Sequence, residues 1–259
     1  MIILLCFLTA CRPTVNPPMG IPKDDPSEKW RKLLLSASSD AGVDYDKIRQ
    51  QREALDAYIS WVAGHGPNAD KMTVRKETQK MAFYVNAYNA FVIYGMLEKW
   101  PIESIQDIRV GPYPGKASNF FFGQLFRVDN EWVSLYHLQT EMLLANFQYP
   151  ELHFMLHQGA KSSPKLRYWK QGKPAKSALT TYLQSEYGSQ KTESGWAVSE
   201  LFWWHKDDFI DWSHADNLCE YLYPYARQEL ATWLLANKQD CQLDFIEYDW
   251  TLNQKQHSQ

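Results

Sequence analysis

Met81-Ala82-Phe83-Tyr84-Val85-Asn86-Ala87-Tyr88-Asn89-Ala90-Phe91-Val92 is apolar or aromatic at every position but two. A surface helix carries one apolar stripe, whereas a run that is apolar nearly all round belongs inside a protein. The pattern predicts a long buried helix from about Val74 to Glu98, ended before Pro101. Asn86 and Asn89 fall at i and i+3, on one face of that helix. A buried amide must be hydrogen-bonded, so both are expected to fasten a neighbouring loop or strand.

Working outward, Leu55, Tyr58, Ile59 and Val62 at helical spacing predict an amphipathic helix stopped by Gly64, Gly66 and Pro67. On the other side, Gln124–Val128 and Glu131–Val133 flank Asp129-Asn130, a hairpin turn. Ser134 reads as the N-cap of a helix that carries Leu135, Leu138, Met142 and Leu143 inward. From Leu152 to His157, Leu152, Phe154 and Leu156 alternate with His153, Met155 and His157. That alternation predicts a strand with both histidines on one face, left through a loop over Gly159–Pro164. Helices are expected around Ser177–Tyr187 and Asn217–Asn237, the second interrupted near Pro224, and a last strand around Leu243–Trp250. Helices outweigh strands. The expected class is α+β, a helix-rich single domain packed around a small, mainly antiparallel sheet.

Met1 to Leu8 are almost wholly apolar, and Leu8-Thr9-Ala10-Cys11 closes the run in the pattern of a bacterial lipoprotein cleavage box. The stretch is too short to span a bilayer, which takes about 20 apolar residues. Residues 1–10 are therefore read as a signal peptide and Cys11 as the lipidated residue, with the membrane as a partner through that lipid. Arg12, where an aspartate would favour the inner membrane, points to the outer membrane. Pro13, Pro17, Pro18, Pro22 and Pro26 predict an extended tether over residues 11–26. At about 3.1 Å per residue it would hold the folded part, 27–259, roughly 40–50 Å from the lipid surface.

The composition excludes one class of partner. Lys and Arg number 27 against 30 Asp and Glu, with no basic block, so nothing suggests nucleic acid. With 45% hydrophobic residues and eleven tryptophans, the chain can bury a thick aromatic core. Cys6 leaves with the signal and Cys11 takes the lipid. In an oxidising compartment Cys219 and Cys241 are then expected to pair, although two reduced, buried thiols remain the alternative.

His137 and Glu141 at i, i+4, with His153 and His157, would offer four nitrogen and oxygen ligands. No Cys-x-x-Cys or His-Glu-x-x-His spacing supports such a site, so neither metal nor cofactor is assigned. His65, His205 and His214 carry no constellation. Trp203, Trp204, Asp207 and Asp208 read as core aromatics and an acidic first helical turn rather than a groove mouth.

From about Ser27 to Asn253 the chain resembles the domain-of-unknown-function family 547, DUF547. The matching stretches are Val43-Asp44-Tyr45, Phe83 to Ala90, Trp132-Val133-Ser134-Leu135, His153-Phe154, Gly159 to Leu166, and Ser199 to Trp204 with Asp208-Phe209. The resemblance implies a thiol-hydrolase-like site of Glu, His and Cys, in which this chain departs at Gln139, Glu151, Gln158 and Ser163. His153 alone is retained. Three outcomes stay open. In the first, the cleft survives as a binding site for a small molecule, peptide or envelope protein, with Asn86, Asn89 and Gln158 contributing. In the second, a serine-dependent acyl or peptide hydrolase uses Ser163 as nucleophile, His153 as base and Gln139 to orient the ring. In the third, the protein is purely structural.

Overall fold

The asparagine-bearing helix is the centre of the molecule. The computed structural model describes residues 12–69, 76–111, 115–170 and 176–255, and in it this helix spans Glu77–Glu98. Every residue from Met81 to Leu97 is buried. The expected start at Val74 lies outside the described residues.

In chain order the elements before it are β1 (Thr14–Val15), α1 (Ser27–Ala37), β2 (Ser38–Ser39), β3 (Gly42–Val43), α2 (Tyr45–Gln50) and α3 (Glu53–Gly64), which makes the central helix α4. After it come α5 (Phe120–Gly123), β4 (Leu125–Val128), β5 (Glu131–Ser134), α6 (Leu135–His137) and α7 (Ala145–Phe147). A wider, π-helical stretch over Leu138–Leu144 joins α6 to α7, and a 3-10 turn follows over Pro150–Phe154. The remainder is α8 (Lys176–Leu183), β6 (Ser189–Lys191), β7 (Trp196–Ser199), α9 (Glu200–Trp204), α10 (Lys206–Asp211), α11 (Leu218–Leu222), α12 (Gln228–Ala236) and β8 (Asp244–Ile246).

The class is α+β. The strands form three small sheets, ordered β1-β4-β5, β2-β3 and β6-β7-β8. The pairs β2–β3, β4–β5 and β6–β7 are antiparallel, while β1 and β8 add in parallel to β4 and β7. Asp129 and Asn130 turn the β4–β5 hairpin with φ of 51° and 71°, the left-handed geometry that a two-residue hairpin loop needs. Their backbone N–H groups bond to Val62 and Ala63, which pins the turn to the end of α3. Ser134 caps α6 by accepting the His137 N–H, and Leu135, Leu138 and Leu143 are buried behind it. Cys219 and Cys241 form a disulfide that ties α11 to the segment after α12.

The structure corrects four expectations. The proline-rich segment is docked rather than free. Thr14 and Val15 pair with Leu125 and Phe126, the Pro13 carbonyl accepts from Leu125 N–H and Gln124 Nε2, and Met19 N–H donates to Ser60 Oγ. Proline lacks a donor but keeps its carbonyl, and β4 would otherwise expose an unpaired edge. Residues 1–11, with the expected signal and Cys11, lie outside the described residues.

The segment Leu152–His157 is not a strand. Pro150 opens a 3-10 turn, and all residues from Glu151 to His157 are buried. The alternation that suggested two faces therefore marked no solvent side. His153 and His157 consequently bond to different elements. Finally, Trp203 is 56% exposed and Trp204 44%, so neither is a core residue, and β8 stops at Ile246.

Candidate functional site

Two polar constellations grow from residues 150–166. The first is the loop that follows Leu156. Asn89 Nδ2 donates to the Met155 carbonyl and Asn89 Oδ1 accepts the His157 N–H; Asn86 bonds the carbonyl and N–H of Trp169 in the same way. Both amides serve as substitute strand partners. His157 donates Nδ1–H to the Pro164 carbonyl at 2.7 Å. Its Nε2 accepts from Asn253 Nδ2 at 3.1 Å, which fixes the tautomer because an amide nitrogen only donates. Burial pushes the His157 pKa down to about 4, so the ring stays neutral. At Gly159 φ is +78°, and a Cβ there would stand 2.5 Å from Met96 Sδ, so glycine lets the loop lie on α4 without strain.

Ser163 closes this loop. Its Oγ accepts the backbone N–H groups of Gln158 at 3.2 Å and Ala160 at 2.9 Å. The Tyr248 hydroxyl lies 3.2 Å from the same oxygen and donates to Gln158 Oε1 at 2.7 Å. Beside Ser163, between the β2–β3 turn, the loop and α8, opens a cavity of about 600 Å³. Phe154, Leu166 and Tyr182 give it apolar walls, and Lys161, Lys165 and Arg167 bring cations to it. Lys165 pairs with Asp40, and Lys161 lies 3.8 Å from Asp249.

The second constellation surrounds His153, which is 1% exposed. Its Nε2 lies 2.8 Å from Asp208 Oδ2 and carries the proton, because a carboxylate only accepts. The His205 ring stacks on it at 3.8 Å between centroids, and the Phe209 ring meets it edge-on. Nδ1 of His153 is buried without a hydrogen-bond partner among the described residues. Burial lowers the pKa of His153 and outweighs the upward pull of Asp208. His205, partly withdrawn from water and facing a second imidazole, is held down to about 2.

The structure does not join Gln139, His153 and Ser163. The carboxylate that bonds His153 is Asp208, from α10. Gln139 sits half-buried in the π-helical stretch and makes no hydrogen bond to His153. Ser163 Oγ has Tyr248, not His153, as its side-chain neighbour. Glu151 is buried and accepts from the Tyr225 hydroxyl at 2.9 Å. Sequence reasoning missed Asp208, His205, Tyr248 and Asn253 as partners. The one available signal was Asp208-Phe209 among the stretches that resemble DUF547.

The family model described as "Protein of unknown function, DUF547" matches residues 72–179. No curated protein matches the chain, and no solved structure matches it. Among the described residues no helix is long and apolar enough to cross a membrane.

Proposed function

We propose that this protein, whose residues 72–179 match the DUF547 family model, is a binding domain without hydrolase turnover. It is an envelope lipoprotein whose cleft beside Ser163 takes a small molecule or peptide end with a negative charge and an apolar body. The observation that carries this reading is the bonding of Ser163. A serine nucleophile needs a base within hydrogen-bond reach. Here Oγ meets two backbone N–H donors and a phenol, so the hydroxyl holds the loop closed.

The cavity persists beside it. About 600 Å³ lies within the usual range for small-molecule sites, about 300–1,000 Å³. Lys161, Lys165 and Arg167 outnumber the lining carboxylates Asp40 and Glu186. Phe154, Leu166 and Tyr182 favour an apolar body, at about 25 cal/mol per Å² buried. The apolar residues 1–8, the Leu8–Cys11 box and the Cys219–Cys241 disulfide support an envelope location.

The test uses 1-anilinonaphthalene-8-sulfonate, an anionic apolar probe, titrated into the full chain. One saturable site is expected, weakened by Arg167→Ala and lost in Thr181→Trp, which fills the cavity from the exposed side of α8. Binding that ignores both substitutions, or no saturable binding, would overturn the reading. A fluorophosphonate should leave the chain unlabelled. An adduct that disappears in Ser163→Ala would establish a serine hydrolase instead.

A further inference from the structure

We infer that His153, His205 and Asp208 form a binding site for zinc or a related late first-row divalent metal ion. One ligand atom from each of the three lies within 4.8 Å of the others. Zinc binds nitrogen and oxygen at about 2.0–2.2 Å, which sets tetrahedral ligand atoms about 3.3 Å apart. The 2.8 Å between His153 Nε2 and Asp208 Oδ2 is already close to that spacing. A cation there takes the Nε2 lone pair of the other neutral tautomer, in which the ring proton has moved to Nδ1, and Asp208 retreats by about half an ångström to admit it.

His205 supplies the movement the site needs. It stands between α9 and α10 at φ −118° and ψ 26°, outside either helix. Its ring is held by the stack on His153 and by no hydrogen bond among the described residues. Rotation about its side-chain torsions takes the ring off the stack and brings a nitrogen to the shared ligand edge. His153 is the fixed member, buried in the 3-10 turn against Phe209. Asp208 is the accessible one, with its side chain 31% exposed, so water reaches the fourth position from that side.

The donor set selects the metal. Two imidazoles and one carboxylate suit zinc, cobalt, nickel or copper, whereas magnesium and calcium prefer oxygen alone. The site stands apart from the Ser163 cleft: Phe154 lines the cavity, while His153 beside it packs on α10. The inference therefore does not depend on what the cleft binds.

The full chain, stripped with a chelator, is titrated with zinc against a chromogenic competitor. One equivalent bound per chain is expected, undisturbed by excess magnesium. His205→Gln and Asp208→Asn, both at partly exposed positions, should weaken it by about 100-fold or more, since even outer-shell partners of metal sites are worth about 10–100-fold. His137→Ala should bind as the parent does, because His137 and Glu141 make the rival pair on an exposed helical face. In His205→Cys loaded with cobalt, a thiolate-to-cobalt charge-transfer band should appear, which tests ligation directly. No stoichiometric zinc, loss of binding in His137→Ala, or a cobalt-loaded His205→Cys without that band would each overturn the assignment.

Discussion

Asn89 accepts the backbone N–H of His157 at 2.8 Å while donating to the Met155 carbonyl two residues earlier at 2.9 Å. One buried side chain thus serves as strand partner to a segment that has no strand. Asn89→Ala strands a buried donor and a buried acceptor, each costing about 1–3 kcal/mol. We expect a loss of about 3 kcal/mol in urea unfolding, and a loss below about 1 kcal/mol would mean that the loop finds other partners.

The Cys219–Cys241 disulfide closes a loop across 22 positions. Loop-closure entropy assigns such a crosslink about 3 kcal/mol. Replacing both cysteines with serine should lower stability by about that amount, read from denaturation midpoints under oxidising conditions. If reduction of the parent protein leaves its midpoint unchanged, the bond contributes nothing.

His157 makes stability depend on pH. Its folded pKa of about 4 lies below the ordinary value of 6.5, so between the two the unfolded chain binds a proton that the folded chain refuses. Stability is therefore fully present above pH 6.5 and is lost as pH falls toward 4, by about 1.4 kcal/mol per pH unit. His157→Gln should remove about 2 kcal/mol of the drop between pH 7.5 and pH 5.0 in paired unfolding curves. Equal drops in the two proteins would assign the pH dependence to other groups.

Docking of the N-terminal segment predicts that the Leu125 amide is protected from hydrogen exchange by the Pro13 carbonyl. A chain beginning at Ser27 should lose that protection and unfold at lower denaturant. A free tether would leave both unchanged. On the proposed lipidation of Cys11, Arg12 alone separates the anchor from the docked chain. The domain would then lie against the lipid surface.

Substitution at Gly159 probes the loop's seat on α4. Gly159→Ala places a methyl 2.5 Å from Met96 Sδ and forces a positive φ on a residue with a Cβ. A cost of about 1–3 kcal/mol is expected in thermal or urea unfolding. A neutral substitution would show that Met96 yields freely.

The sequence by itself determined what acts over a few residues. The all-round apolar run makes α4 a buried helix, Asp129-Asn130 makes the hairpin turn, and Ser134 caps its helix, because periodicity and turn chemistry are local. It also required partners for Asn86 and Asn89, since buried amides are hydrogen-bonded wherever they sit. Tertiary structure alone decided which groups meet. His153 reaches Asp208 across 55 residues, Ser163 meets Tyr248 across 85, and His157 meets Asn253 across 96. Nothing in local spacing encodes those distances; the packing of α10 and the C-terminal segment on the 150–166 region sets them. The same packing overrode the alternation at Leu152–His157, since a period of two identifies a strand only where one face meets water, and here burial is complete.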